Sequence, residues 1–265
     1  MIILETKKLT RLFGTFKAID SIDISVAAGE VFGLLGPNGA GKSTTLKILT
    51  TLLTPSSGDA FISGFSVKNQ PDKIRRIIGY VPQMISADGS LTGYENLLLF
   101  AKLYDIPFKE RKKKVFAALD FMGLKDDADK LVKDYSGGMI RRLEIAQSTL
   151  HRPPILFLDE PTSGLDPIGR KVVWEHITAL QKQNSSTIIM TTHLMDEADE
   201  LCDRVALMSR GKIAAIGSPK DLKASINREN ATLEDVFIYY TADKIESGSS
   251  YREVRRERRT ARRLG

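Results

Sequence analysis

The residues Gly36-Pro37-Asn38-Gly39-Ala40-Gly41-Lys42-Ser43 hold the clearest chemistry in this chain. They fit the pattern G-x-x-x-x-G-K-[ST], in which a glycine-rich loop opens into a helix. Glycine lets backbone N–H groups turn inward and come close to phosphate oxygens. The helix that follows offers its positive N-terminal end to the same anion. Lys42 would neutralise β- and γ-phosphates, and the Ser43 hydroxyl would ligate Mg²⁺. The required context is present. Val31-Phe32-Gly33-Leu34-Leu35 is apolar without alternation, as in a strand buried on both faces. A helix is expected from Ser43 to about Leu53. The loop therefore points to a nucleoside triphosphate.

A second group of residues could supply the metal side of such a site. Ile155-Leu156-Phe157-Leu158 reads as an apolar strand that ends in Asp159 and Glu160. Asp159 would hold Mg²⁺ through water. Glu160 could polarise an attacking water as general base, a role that typically contributes about 10²–10⁴ in rate. His193 follows Ile188-Ile189-Met190-Thr191-Thr192, the end of another buried strand. Strand ends on one edge of a parallel sheet converge on ligand, so its imidazole could reach a γ-phosphate. His151 and His176 lack this placement and read as structural. No His/Cys spacing suggests zinc. Cys202, the single cysteine, cannot form an internal disulfide and reads as a packing residue in a reducing compartment.

The elements around these residues alternate. Residues 1–30 read as short strands, with Ile22-Asp23-Ile24-Ser25-Val26 alternating apolar and polar. Strand-and-turn composition returns over 54–70. From about Leu91 to Leu150, Leu97, Phe100, Ala101 and Tyr104 recur at helical spacing, as do Val115, Ala118, Leu119 and Met122. Strand character resumes at Ile155–Leu158 and Thr187–Met190, with a helix between them around Lys171–Lys182. Strands alternating with helices imply a parallel sheet. A hairpin is expected over Arg204–Ile216, then short helices after Pro219.

Other residues carry a family resemblance. Tyr135-Ser136-Gly137-Gly138-Met139 resembles the LSGGQ signature of ABC ATPases. Gln83, in Tyr80-Val81-Pro82-Gln83, resembles that family's Q-loop, Ser163-Gly164-Leu165-Asp166 its D-loop and His193 its H-loop switch. Phe13 falls where the family places an aromatic ring against adenine, and a core aromatic is the alternative. The resemblance spans about residues 3–222. It implies an α/β fold: a P-loop NTPase core with a mostly parallel sheet, an N-terminal antiparallel β subdomain, and an α-helical subdomain carrying the signature. The implied ATPase domain is 1–220, with its core at 1–83 and 151–220 and the helical subdomain at 84–150. A short helical extension at 221–247 and a basic tail at 248–265 would follow.

The resemblance also implies roles. Nucleotide contacts fall to Phe13, Gly36 through Ser43, Thr44, Ser136, Gly137 and Gly138. The metal falls to Ser43, Gln83 and Asp159, and catalysis to Lys42, Gln83, Glu160 and His193. Ser163 and Asp166 would lie at the interface of a head-to-tail homodimer, or pseudo-dimer with a related ATPase, that sandwiches ATP and Mg²⁺. Ser136 suits the N-cap of a helix whose apolar positions are Met139, Leu143, Ala146 and Leu150. Tyr135 and Met139 replace the usual Leu and Gln, and Met cannot donate an amide's hydrogen bonds.

No run approaches the roughly 18 apolar residues needed to cross a bilayer. The resemblance then implies a place at the cytoplasmic face of a membrane, beside a separate permease gripped through the helical subdomain. The formal charge is +6, and the last fifteen residues hold seven Arg against two Glu. The basic character is mostly this tail, so nucleic acid is not the expected partner. Met139, Ser163–Pro167 and Thr232-Leu233-Glu234-Asp235-Val236-Phe237 resemble the daunorubicin-resistance exporter type. An importer ATPase or a non-transport ABC ATPase is the alternative.

Overall fold

A computed structural model describes residues 1–184, 186–226 and 228–242. The expected basic tail and the end of the C-terminal extension lie outside the described residues. The chain divides into two compact units, 1–75 with 191–265 and 76–190.

The first unit begins with β1 (Ile2–Phe13), β2 (Phe16–Ile22) and β3 (Ser25–Ala27). β1 is longer than the short strands expected there, and both β2 and β3 pair with it antiparallel. The alternating stretch 22–26 is not one strand. Ile22, Ile24 and Val26 are buried as the alternation requires. The ladder breaks between them because the Thr6 hydroxyl donates to Ile22 O at 3.0 Å and accepts from Ile24 N at 2.8 Å. The side chain thus replaces a backbone partner. After β4 (Val31–Leu35) and α1 (Lys42–Leu49) come β5 (Ser57–Ile62), β6 (Phe65–Ser66) and α2 (Pro71–Arg75). α1 stops short of Leu53. The Thr50 hydroxyl returns to Leu46 O at 2.9 Å, and Thr51 takes a left-handed backbone with φ of 62°. β5 pairs antiparallel with β1 and β6, giving the expected N-terminal antiparallel sheet.

In the second unit, β7 (Ile78–Val81) precedes α3 (Gly93–Leu103), α4 (Phe108–Phe121) and α5 (Gly137–Thr149). Thr92 and Glu95 cap α3 reciprocally. Leu97, Ala101, Val115, Leu119 and Met122 are buried, as their helical spacing predicts. β8 (Ile155–Asp159) pairs parallel with β7, and α6 (Pro167–Asn184) leads into β9 (Thr187–Thr192), the other neighbour of β8. β8 and β9 are buried at every residue, which is why their apolar residues, Ile155–Leu158 and Ile188–Met190, are consecutive rather than alternating.

The last two residues of β9 return the chain to the first unit, where α7 (Met195–Leu201), β10 (Arg204–Ser209), β11 (Lys212–Gly217), α8 (Pro219–Ala224) and α9 (Leu233–Ala242) follow. β10 runs parallel to β4 and antiparallel to β11. The β10–β11 turn has φ of 49° at Arg210 and 77° at Gly211, the left-handed pair that a two-residue hairpin favours. Cys202 is buried against Gly33, and burial pushes its thiol pKa up, in keeping with packing.

Phe157 is fully buried at the centre of β8. Phe157→Ala is expected to cost about 3–5 kcal/mol, read as a lower urea midpoint.

Candidate functional site

The glycine loop is shaped by backbone that crowds it. A Cβ on Gly36 would stand 2.3 Å from Met208 O, and one on Gly41 2.7 Å from Ala18 O. Gly41 also has φ of 108°, outside the range of L side chains. The Gly211 amide donates to Ala40 O at 2.9 Å, and Asp20 N donates to Gly211 O at 2.8 Å. The β10–β11 turn therefore fastens the loop to β2. Gly36 N meets Thr192 O at 3.3 Å, which ties the loop to the residue before His193.

Gly41 is the N-cap of α1, and no side-chain cap or first-turn acid stands at that N-terminal end. That end keeps its affinity for an anion. Lys42 is buried, and its ammonium donates to Gly36 O at 2.8 Å and Pro37 O at 3.3 Å. These bonds fold the side chain back over the loop that a phosphate would occupy. Phe13 ends β1, half-buried and outside the core, with the Arg11 guanidinium 4.7 Å from its ring centre.

In the second unit, Asp159 and Glu160 are both buried at the end of β8. Glu160 has φ of 49°, a left-handed backbone that costs energy in a non-glycine residue and tends to mark functional sites. Gln83 Nε2 donates to Glu160 Oε2 at 3.0 Å, so the structure brings these two predicted residues together. Burial first, and then the Asp159 charge, push the Tyr80 pKa up to about 12.

Ser136 is the N-cap of α5, accepting from Met139 N at 3.3 Å. Ser136 and Gly137 are exposed, and no acid stands in the first turn of α5. A Cβ on Gly137 would meet Leu165 at 3.2 Å, so the signature lies beside the 163–166 stretch. Ser163 is exposed, while Asp166 caps α6 by accepting from Ile168 N and Gly169 N at 3.0 and 2.9 Å. Those bonds hold its carboxyl below the usual range. Leu143, Ala146 and Leu150 are buried as expected, whereas Met139 is half-buried.

The substitution at Tyr135 has a structural reason. Its ring is buried and its hydroxyl donates to Asp127 O at 2.7 Å, a bond that Leu could not make. Burial pushes the phenol to about 12, so it remains a donor. His151 stacks on Tyr104 at 4.0 Å and bonds Ile78 O, and His176 bonds Val172 O. Both are structural.

A family model described as ABC transporter matches residues 19–163. The chain belongs to the ABC transporter family. Over 223 residues it is 44% identical to the daunorubicin/doxorubicin resistance ATP-binding protein DrrA of Streptomyces peucetius, covering 84% of this chain and 67% of that protein. Over 244 residues it is 44% identical to the probable multidrug ABC transporter ATP-binding protein YbhF of Escherichia coli (strain K12), covering 91% of this chain but 42% of that protein. A solved dimeric ATP-binding cassette, in a post-hydrolysis state bound to ADP and Pi, aligns with a TM-score of 0.73 at 26% identity, covering 81% of this chain and 98% of that one. The fold is that of a P-loop NTPase, and the chain is an ATPase of the ABC family.

Sequence reasoning missed three contributors to this ABC ATPase. Gly211 buttresses the glycine loop. Arg141 and Glu144, buried on α5, hold the segment around Gln83. Their signal was available: both are charged residues among the apolar positions of one helix. Burial pulls the Arg141 pKa down, while the charges of Glu144 and Asp159 oppose that shift.

Lys42→Ala is expected to weaken ATP binding, and an unchanged affinity in a nucleotide titration would refute its phosphate role. Tyr135→Phe is expected to cost about 1 kcal/mol of stability in a denaturant melt, with ATP affinity kept.

Proposed function

We propose that this chain powers an ABC exporter by closing as a dimer on ATP and opening after hydrolysis. The observation that carries the reading is the exposed start of α5. It is a serine-capped, acid-free helix end that would bind the triphosphate of a second copy. The names of the relatives, resistance and multidrug ATP-binding proteins, support export, and the dimeric form of the solved cassette supports closure.

In this reading the glycine loop, α1 and Lys42 grip the phosphates of one ATP. Ser136 and Gly138 of the opposing copy grip them from the other side, with Ser163 and Asp166 at the seam. Phe13 stacks on adenine, and His193 contacts the γ-phosphate. Glu160 accepts a proton from the attacking water. Gln83 holds the Glu160 carboxylate through its amide nitrogen, which leaves its amide oxygen for a cation. Hydroxyl, carboxylate and amide oxygens are the hard donors that Mg²⁺ prefers, so Ser43, Asp159 and Gln83 fit that ion. When bound, Mg²⁺ would neutralise charge that develops on the β- and γ-phosphates.

Hydrolysis removes the phosphate that bridges the two copies, and the sandwich opens. The partner is a separate permease. Among the described residues no helix is long and apolar enough to cross a membrane. Met84 and Ile85, just after Gln83, and Leu103 and Phe108, at the α3–α4 connection, are exposed apolar side chains suited to a permease helix.

Glu160→Gln is expected to bind ATP, lose turnover and accumulate as a dimer with ATP in light scattering. Parent-rate hydrolysis by this variant would exclude Glu160 as the base. A monomer under saturating ATP would exclude the sandwich.

A further inference from the structure

Residues 82–88 follow β7 without forming helix or strand, and Gln83 through Ser86 are exposed. Such a segment has little apolar burial to hold it in one place. Buried side chains fasten it instead. Arg141 donates from Nη1 to Pro82 O at 2.7 Å and from Nη2 to Gln83 O at 3.0 Å. Glu144 Oε1 accepts the Ser86 amide at 2.5 Å and the Ser86 hydroxyl at 3.0 Å. Arg141 Nη1 and Glu144 Oε2 lie 2.9 Å apart, with their side chains 6% and 1% exposed.

A guanidinium and a carboxylate lose more by leaving water than their attraction returns, unless their other donors and acceptors are also filled. Here the Pro82 and Gln83 carbonyls accept from both Nη atoms of Arg141, and Ser86 donates twice to Glu144 Oε1. If the segment leaves, those buried groups lose these partners and keep only the contact between the two charges. Because the Gln83 carbonyl is held by Arg141, the Gln83 amide is aimed at Glu160. Arg141 and Glu144 stand on the same rigid helix as Ser136, about one and two turns beyond that cap.

We propose that Arg141 and Glu144 are positioning residues for hydrolysis, making the placement of Gln83, and so its bond to Glu160, follow the helix that carries the signature. This rests on the reading of Glu160 as general base. The planar fork of Arg141 matters because it meets the carbonyls of two successive residues at once, which a single ammonium does less well.

The test uses the full-length chain carrying Arg141→Met together with Glu144→Met, so that neither charge is left buried alone. ATP affinity and thermal midpoint are measured beside kcat and KM. The expected result is ATP affinity within about twofold of the parent and a kcat lowered at least about tenfold, the signature of a lost transition-state contribution. Adding Gln83→Ala is expected to cost no further turnover than Gln83→Ala alone, because coupled groups are not additive. A parent-like kcat, or losses that multiply with those of Gln83→Ala, overturns the proposal.

Should the double variant fail to fold, the near-isosteric Glu144→Gln is followed by hydrogen exchange. Faster exchange confined to 82–88 supports the proposal, and unchanged exchange there overturns it. If Gln83→Ala and Glu160→Gln both hydrolyse ATP at the parent rate, the reading of the base fails and this inference falls with it. Parent-like turnover in the Arg141 variant alone sinks only the inference.

Discussion

Backbone amides can grip a phosphate only where no side chain projects into the space between them. In this chain that constraint is met by crowding. Gly36 and Gly41 lie so close to the carbonyls of Met208 and Ala18 that no Cβ would fit. The loop is therefore held by β2 and the end of β10 as well as by its own bonds from Lys42 to Gly36 and Pro37. The Gly211 turn locks the same region through Ala40 and Asp20. A loop fixed in this way loses little freedom when an anion arrives, because its ordering has been supplied by folding.

The acidic side of the site is organised by a different means. Glu160 ends a wholly buried strand and turns at once into a left-handed backbone. Its carboxylate accepts from Gln83, whose own main chain is held by Arg141. A buried carboxylate, an amide and a guanidinium thus form a chain of hydrogen bonds from β8 to α5. Polar networks of this kind specify one arrangement when every member is satisfied. A separate set of bonds holds the 82–88 segment further on, where Asn96 bonds both the amide and the carbonyl of Asp88 while accepting from Gln147. The helical part of the second unit therefore has a polar interior as well as an apolar one.

This accounts for the character of α5. Its exposed start is a capped helix end free of acids, suited to an anion, while its later turns bury Arg141, Glu144, Gln147 and Ser148 beside Leu143 and Ala146. Removing one member of a buried ion pair typically costs about 3–5 kcal/mol. One helix thus joins a surface suited to recognition with an interior that fixes the segment around Gln83.

The sequence by itself determined the parts whose physics is local. The glycine loop and its lysine, the apolar runs of β4, β8 and β9, the Ser136 cap and the helical spacing of α3 to α5 depend on neighbouring residues, and they were legible as such. Boundaries set by single residues were not. α1 ends at Leu49, just before Thr51 takes a left-handed backbone, and β2 and β3 separate because Thr6, far away in the chain, intercepts the backbone at Ile22 and Ile24. Tertiary structure alone decided that Gly211 braces the glycine loop, that Tyr135 reaches the Asp127 carbonyl, and that Arg141 and Glu144 hold Gln83 and Ser86. The Gly211, Arg141 and Glu144 contacts join residues well separated along the chain, Tyr135 reaches back eight residues, and a hydrogen bond across such a gap exists only once folding has brought its donor and acceptor within about 3 Å.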